Sequence, residues 1–240
     1  VKNTIGEGGF AFVYRVKSDN GKNFALKKMI CQTEEQEKEA DVEIKVLQNI
    51  KNSNVLSLIG YSIVKKSSER SEYNLLLPLY SGTIESYIEK ANAAAALESG
   101  NGSNSANVST STSYGYPNSP FNNTPITSTN VIKIISGIIN GIIALHQAGY
   151  RHNDLKPANV LLNNNYDAIL TDLGSASELI IDINSRSQAL DIADWHNTHT
   201  TSSIKAPELF DPPSSGLVIN GKSDVWSLGC TIYAMLFCRT

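Results

Sequence analysis

The chain has few cysteines and no large excess of positive charge, and each of these absences excludes a class of protein. Its three cysteines, Cys31, Cys230 and Cys238, show no metal-ligand spacing, so we interpret them as ordinary core or surface thiols. So few thiols are typical of the reducing cytoplasm, which is the predicted location. The 20 basic and 23 acidic residues give a net charge of −3, which excludes a basic surface large enough to predict a nucleic-acid partner.

A hydrophobic run long enough to predict a membrane span is also absent. The longest one, residues 131–145, has about 15 residues and is interrupted by Lys133 and Asn140, whereas a span needs about 20 apolar residues. We therefore predict a buried helix of the protein core. Its buried face is predicted from the isoleucine pattern, which comprises Ile134, Ile135, Ile138, Ile139, Ile142 and Ile143.

Aliphatic residues are almost missing from one long segment. Between residues 98 and 130 the chain consists mainly of Asn, Ser, Thr, Gly and Pro. Such a segment cannot bury enough apolar surface to offset the entropy lost on ordering, so we predict a disordered insertion. A binding motif inside the insertion is the alternative.

The rest of the chain alternates between strand and helix patterns and predicts an α+β fold. Residues 1–30 have the alternation of a twisted antiparallel sheet, and residues 34–50 have the pattern of an amphipathic helix. The other predicted elements are strands at 55–64 and 73–79, helices at 83–97 and 224–237, the last of them buried, and a mostly irregular segment at 174–208.

A polar motif in the second half of the chain carries the chemistry. It runs from Arg151 to Leu162 and is followed by Asp172-Leu173-Gly174. Phosphoryl transfer needs a carboxylate to orient the attacking hydroxyl, a Lys near the transferred phosphate, and oxygen ligands for magnesium. Asp154 is the predicted base and Lys156 the predicted partner of the γ-phosphate, while Asn159 and Asp172 are the predicted magnesium ligands. The motif resembles the catalytic and metal-binding loops of eukaryotic protein kinases.

The amino-terminal part agrees with this resemblance. A glycine-rich stretch would let a strand–turn–strand unit cover phosphates, and Lys27 on the third predicted strand would reach the α and β phosphates. The spacing of Glu43 to the next predicted strand resembles that of the conserved glutamate in protein kinases, which makes Glu43 the preferred partner of Lys27; Glu39, one helical turn earlier, is the alternative. The predicted nucleotide-binding residues of this part are Ile5, Gly6, Glu7, Gly8, Gly9, Val13, Ala25, Lys27 and Glu43.

Three further positions bear on regulation and on the acceptor. Asn153 stands where most kinases have an Arg that pairs with a phosphorylated activation loop, so we hypothesise that activity does not depend on that phosphorylation. Residues 224–230 resemble the start of helix F in kinases, which implies that Asp224 accepts backbone hydrogen bonds from the catalytic loop. Thr201 is predicted to contact Asp154 and Lys156, as the equivalent residue does in serine/threonine kinases.

A closer resemblance, to the Numb-associated kinase family, is carried by residues 187–195, by Gly8-Gly9-Phe10 and by Asp172-Leu173-Gly174-Ser175. The chain is similar to the family's branch of lipid-anchored, Golgi-associated serine/threonine kinases, which have a long activation segment with an extra helix. The resemblance implies a two-lobed kinase fold, with the N-lobe at 1–80 and the C-lobe at 81–240.

The resemblance also implies an activity and its site. ATP and Mg²⁺ would be the cofactors, and the kinase would be a constitutively active transferase that phosphorylates Ser or Thr hydroxyls of protein substrates. Leu77 would be the gatekeeper, Leu79 and Tyr80 would belong to the hinge that binds adenine, and Leu161 would lie beneath the adenine.

Two family properties depend on segments that this chain would lack. Membrane attachment, at the Golgi or elsewhere, would come only from a lipid anchor before the first strand. The C-lobe would be truncated after helix F, so we expect the chain to be unstable or to aggregate. The residues expected to lose cover are Val225, Leu228, Ile232 and Leu236. A pseudokinase that serves as a scaffold and an inactive kinase fragment are the alternatives to an active enzyme.

Overall fold

The computed structural model describes residues 3–67, 70–98, 128–214 and 216–238. The predicted disordered insertion therefore lies outside the described residues, except for its two ends. Those ends are helical, because one helix extends to Glu98 and the next begins at Ser128.

The amino-terminal lobe is a five-stranded antiparallel sheet with strand order β1-β2-β3-β5-β4. The predicted sheet in residues 1–30 is confirmed. The strand predicted at 55–64 begins only at Gly60, because the backbone of Asn54 and Leu56 hydrogen-bonds instead to Leu170 in the other lobe. The strands are β1 (Asn3–Gly8), β2 (Ala11–Lys17), β3 (Asn23–Cys31), β4 (Gly60–Ser67) and β5 (Arg70–Pro78).

One helix, α1 (Glu34–Asn49), packs on this sheet and confirms the amphipathic pattern. The Thr33 hydroxyl caps it by accepting a hydrogen bond from the backbone N–H of Gln36, and acidic residues in the first turn complement the helix dipole. Its buried face is apolar apart from Glu43, whose side chain is only 2% exposed. A buried carboxylate on an apolar face needs a charged partner, and the strand beneath supplies one.

The second lobe is mainly helical, with short two- and three-residue strands between its helices. Its strands are β6 (Gly82–Thr83), β7 (Tyr150–Arg151), β8 (Val160–Leu162), β9 (Ala168–Leu170), β10 (Ser177–Glu178), β11 (Ile181–Ile183) and β12 (Leu217–Ile219). Its helices are α2 (Ile84–Glu98), α3 (Ser128–Gln147), α4 (Arg186–His199) and α5 (Lys222–Phe237).

Helix α3 is the predicted isoleucine-rich helix, but its buried face is narrower than predicted. Ile134, Ile138 and Ile142 are buried, whereas Ile139 and Ile143 are 39% and 47% exposed, since the buried stripe recurs every fourth residue. The stripe lies so close to β9 that a Cβ on Gly141 would stand 2.8 Å from Leu170.

The length of α3 also differs from the prediction. At 20 residues, it is long and apolar enough to cross a membrane by length and composition. The core helix of a soluble protein meets the same criterion, and the buried stripe of α3 packs against β9.

Helix α4 corrects the interpretation of residues 174–208 as mostly irregular. The Ser185 hydroxyl caps it by accepting from the backbone N–H of Gln188, and its buried side chains are Ala189, Ala193 and His196. Small and polar residues dominate this buried face, so it lacks the large apolar periodicity from which helices are recognised. The family resemblance, by contrast, implied an extra helix in this segment.

Helix α5 is buried on one side only. Val225 and Leu236 are 58% and 52% exposed, and Leu228 and Ile232 are half-buried. Two of the four residues are therefore exposed, as expected, and the other two are partly buried. The prediction that the whole helix is buried is wrong, because only the face with Ser227, Thr231 and Ala234 packs inward.

Candidate active site

A buried ion pair links the sheet to helix α1. Strand β3 carries Lys27, whose Nζ lies 2.8 and 2.7 Å from the two carboxylate oxygens of Glu43 and 2.8 Å from Asp172 Oδ1. Burial disfavours the charged Lys27, but the carboxylates of Asp172 and Glu43 outweigh it and raise its pKa. The alternative partner, Glu39, points elsewhere and lies 3.4 Å from Nε2 of His199.

Asp172 is held in an unusual backbone conformation that turns its side chain toward Lys27. Its φ and ψ of 60° and 63° are left-handed, a region that Asp tolerates better than most residues. The ammonium group of Lys27 lowers the pKa of Asp172, so this carboxyl is held as a carboxylate. Its side chain is 53% exposed, which leaves an oxygen open toward the adjacent cavity.

A cavity of about 630 Å³ lies between the two lobes, with Lys27 and Asp172 at one end. Most of the predicted nucleotide-binding residues line it. Those are Ile5, Gly6, Glu7, Gly8, Val13, Ala25, Lys27, Leu77, Leu79, Tyr80, Asn159, Leu161 and Asp172.

Two predicted residues do not line the cavity. Gly9 lies in the turn between β1 and β2, and Glu43 lies behind Lys27 rather than at the cavity surface. Glu85 and Glu89 on α2 do line the cavity and were missed, although their spacing of four residues on a predicted helix was visible. Burial and then the neighbouring Glu89 raise the pKa of Glu85.

The catalytic loop surrounds Asp154 with hydrogen-bond donors. Asn159 Nδ2 donates to the main-chain oxygen of Asp154 at 2.8 Å and to its Oδ2 at 3.1 Å. Lys156 Nζ lies 2.9 Å from the same Oδ2 and donates to the Thr201 hydroxyl at 2.8 Å. The backbone N–H of Thr201 donates to Asp154 Oδ1 at 2.9 Å, so both predicted contacts of Thr201 are confirmed.

The buried Asp224 on α5 fixes the backbone of this loop. It accepts hydrogen bonds from the backbone N–H groups of His152 and Asn153 at 2.8 and 2.9 Å, which confirms the predicted contact. His146 Nε2 on α3 lies 2.8 Å from Asp224 Oδ2, the oxygen that also accepts from the backbone N–H of His152. Burial disfavours the charged Asp224, yet these hydrogen bonds prevail and lower its pKa.

A second cavity, of about 500 Å³, opens in front of Asp154. It lies between the first turns of α1 and the end of α4, and its lining includes Phe10, Glu35, Glu39, Lys156 and Thr201. Asp154 is therefore accessible from the second cavity, and it does not line the first.

The oxygen atoms at the inner end of the first cavity fit a magnesium ion. The amide nitrogen of Asn159 is used by Asp154, which leaves its amide oxygen as a ligand atom. The backbone N–H of Thr171 donates to the main-chain oxygen of Asn159 at 3.1 Å, and this bond brings Asn159 next to Asp172. Mg²⁺ is usually held by one or two such side chains plus substrate phosphates and water.

The fold and the site together define a class of protein. A sheet with one packed helix, a mainly helical second lobe, and a Lys–Glu pair beside the cavity between them form a two-lobed protein kinase domain. The family model of the protein kinase domain matches residues 1–240, and the chain belongs to this family.

Several proteins with similar sequences are serine/threonine kinases. The chain is 32% identical to serine/threonine-protein kinase 16 of Mus musculus, over 97% of this chain and 67% of the mouse protein. For the protein of the same name in Homo sapiens the identity is 33% with the same coverage. A probable serine/threonine-protein kinase of Dictyostelium discoideum is 30% identical over 99% of this chain and 75% of its own length. The recognition of a kinase from the motifs is thereby confirmed.

Proposed function

We propose that this protein is an ATP-dependent protein serine/threonine kinase, which transfers the γ-phosphate of ATP to Ser or Thr hydroxyls of protein substrates. One observation carries the proposal: Lys27 bridges Glu43 and Asp172 beside the first cavity, and Asp154 faces the second cavity at the same lobe interface. A protein kinase needs the Lys–Glu pair and the metal-binding Asp in place at the same time.

The first cavity suits ATP by its shape and lining. Leu77, Leu79 and Leu161 offer apolar surface for a base, and Tyr80 lies where the chain leaves β5. The glycine-rich hairpin of β1 and β2 covers the cavity and brings backbone N–H groups near the phosphates. Lys27 would contact the α and β phosphates.

Asn159 and Asp172 would hold Mg²⁺, which would neutralise charge on the phosphates. Asp154 accepts the hydrogen bond of the acceptor hydroxyl and orients its oxygen toward the γ-phosphorus. Lys156 offsets the negative charge on the transferred group. Three donors already fix the Asp154 carboxylate, so no reorientation is needed at the moment of transfer.

The transfer breaks the bond from the γ-phosphorus to the β–γ bridging oxygen and forms a bond to the acceptor oxygen. ADP leaves with the electron pair of the broken bond, and the acceptor's proton passes to Asp154 or to solvent. The second cavity is the space from which a protein segment reaches Asp154.

A test compares the wild-type protein with the Asp154→Asn variant, using labelled ATP and a generic Ser/Thr substrate. Loss of the orienting carboxylate should lower kcat at least ~10²-fold, with nucleotide affinity little changed. Equal rates in the two proteins would refute the mechanism. Magnesium-enhanced nucleotide binding without any transfer would favour the pseudokinase alternative.

The family resemblance supports two further parts of the proposal. Activity would not require phosphorylation of the activation segment, because Asn153 carries no charge to pair with a phosphate. The location would be cytoplasmic, with attachment to Golgi or other membranes by lipidation.

A further inference from the structure

Arg151 is a buried cation without a carboxylate in contact. Its side chain is 0% exposed, and among the described residues no Asp or Glu oxygen lies within ion-pair distance of it. Burial lowers the pKa of Arg151, and only the charge of the nearby Asp224 opposes this effect. A buried guanidinium is tolerated only where hydrogen bonds replace its hydration.

Three hydrogen bonds to the flanking segments provide that replacement. Nε donates to the main-chain oxygen of Glu178 at 3.0 Å and NH2 to the Ser177 hydroxyl at 3.0 Å. NH1 donates to the Ser223 hydroxyl at 3.4 Å, next to Asp224 in α5. Arg151 thus joins the catalytic loop, the start of α5 and the segment that follows Asp172-Leu173-Gly174.

Asn153, two residues further along the loop, donates hydrogen bonds to the same segment. Its Nδ2 lies 2.7 Å from the main-chain oxygen of Ser175 and 2.9 Å from the Ser177 hydroxyl. The left-handed backbone of Asn153, with a φ of 65°, directs the amide there. The Ser177 hydroxyl therefore accepts hydrogen bonds from both Arg151 and Asn153.

We propose that Arg151 and Asn153 are positioning residues that hold residues 175–178 in the arrangement needed for phosphoryl transfer, without a phosphate. This inference rests on the proposed kinase function. Where an Arg precedes the catalytic Asp, a phosphorylated activation loop completes the site. Here the cation lies two residues earlier in the chain, and its partners are uncharged oxygens that are present without modification.

The clamp, as we call Arg151, Asn153 and Ser177 together, acts through the chain that leads from the metal site. Asp172 precedes Ser175 by three residues, and β10 pairs Ser177 with Arg151. Loss of the clamp would remove the side-chain hydrogen bonds that hold this stretch to the loop and to β7, and would leave only its backbone pairing with β7. Asp172 and the entrance to the second cavity would then lose their fixed geometry.

The experiment uses the full-length protein in four single variants and in the double variant of Arg151→Met with Ser177→Ala. Arg151→Met removes the donors at similar volume, Ser177→Ala removes the shared acceptor, and Ser177→Thr restores a hydroxyl. Arg186→Met is the matched control, because Arg186 is half-exposed and pairs with Asp211 at the surface. The readouts are kcat/KM for a protein substrate, sensitivity to phosphatase, and hydrogen exchange of the backbone at 175–178.

We expect phosphatase-treated wild-type protein to keep its activity. Arg151→Met and Ser177→Ala should each lower kcat/KM by roughly tenfold to a hundredfold, the range for a charge-assisted hydrogen bond. Their effects should be less than additive in the double variant, because they remove the same interaction. Both should speed exchange at 175–178, whereas Ser177→Thr and Arg186→Met should behave like wild type.

Two results would overturn the inference. One is wild-type protein that loses activity on phosphatase treatment; the other is a Ser177→Ala variant with unchanged kcat/KM and unchanged exchange. Ser177 is only half-buried, so its alanine variant remains informative if Arg151→Met does not fold. Wild-type protein that binds ATP but never transfers phosphate would refute the proposed function, while the exchange comparison would still decide whether the clamp holds this segment.

Discussion

Lys27 is the residue whose surroundings connect the two lobes. Glu43 contacts it from α1 and Asp172 from the loop after β9. One ammonium group on β3 therefore links this strand to α1 and to the loop. Its side chain is 12% exposed, and few water molecules compete for its charge. The pair is therefore stronger than a surface ion pair would be.

We predict that Lys27→Met lowers phosphate transfer by about 10²-fold or more, because one preorganised cation is lost from the phosphates. Glu43→Gln should lower it less, since Lys27 keeps its contact with Asp172. Lys28→Met is the matched control on the same strand, because Lys28 pairs with Glu72 away from the cavity. Steady-state kinetics with varied ATP measures the effect, and equal losses at Lys27 and Lys28 would contradict this role.

Helix α4 shows, at the scale of an element, how a polar residue can occupy a packed position. His196 is 1% exposed, and its Nδ1 lies 2.8 Å from the Thr200 hydroxyl. Burial, followed by the charges of Arg151 and Lys205, lowers its pKa from 6.5 to about 3. The helix therefore packs with a neutral imidazole.

This shift predicts that acid destabilises α4 and the lobe it packs on. The unfolded chain binds a proton at His196 near pH 6.5, whereas the folded chain does so only near pH 3. The stability that neutral His196 contributes is therefore present above pH 6.5 and is lost as the pH falls toward 3. Between pH 6.5 and roughly pH 5.5 the free energy of unfolding should decrease by about 1 kcal/mol. Denaturant titrations at pH 6.5 and at pH 5.5 give the free energy of unfolding at each pH. The difference between the two free energies should be smaller in His196→Gln than in the wild-type protein, and an equal difference would contradict the prediction.

At the scale of the whole molecule, two helices of the C-lobe carry exposed apolar side chains. The exposed faces of α3 and α5 each include large apolar residues, and such exposure favours association with other protein surfaces. These residues are Ile139, Ile143, Val225, Trp226, Tyr233, Leu236 and Phe237.

We predict that the 240-residue chain self-associates through these exposed apolar side chains. Leu236→Gln should lower the aggregation rate, measured by light scattering, because it removes an apolar group that is 52% exposed on α5. Leu190→Gln is the matched control, since Leu190 is 48% exposed on α4. If the two substitutions had equal effects, the aggregation would be due to general hydrophobicity and not to these helices. Separately, a sharp cooperative thermal unfolding transition above about 50 °C would contradict the expected instability of the chain.

The sequence by itself determined the class of the protein and predicted most of the residues of its candidate site. Asp154, Lys156, Asn159 and Asp172 lie within a short stretch, so their spacing alone predicts that they share one loop region. The preference for Glu43 over Glu39 also came from spacing along the chain, and the structure agrees. Local patterns suffice where neighbours in sequence are neighbours in space.

Only the tertiary structure decided contacts between distant segments. The buried state of Arg151 depends on Ser177 and Ser223, which lie 26 and 72 residues further along the chain. Which isoleucines of α3 are buried depends on where β9 lies, and the exposed face of α5 depends on what packs against it. Burial and long-range hydrogen bonds are properties of the packed chain, and no local pattern encodes them.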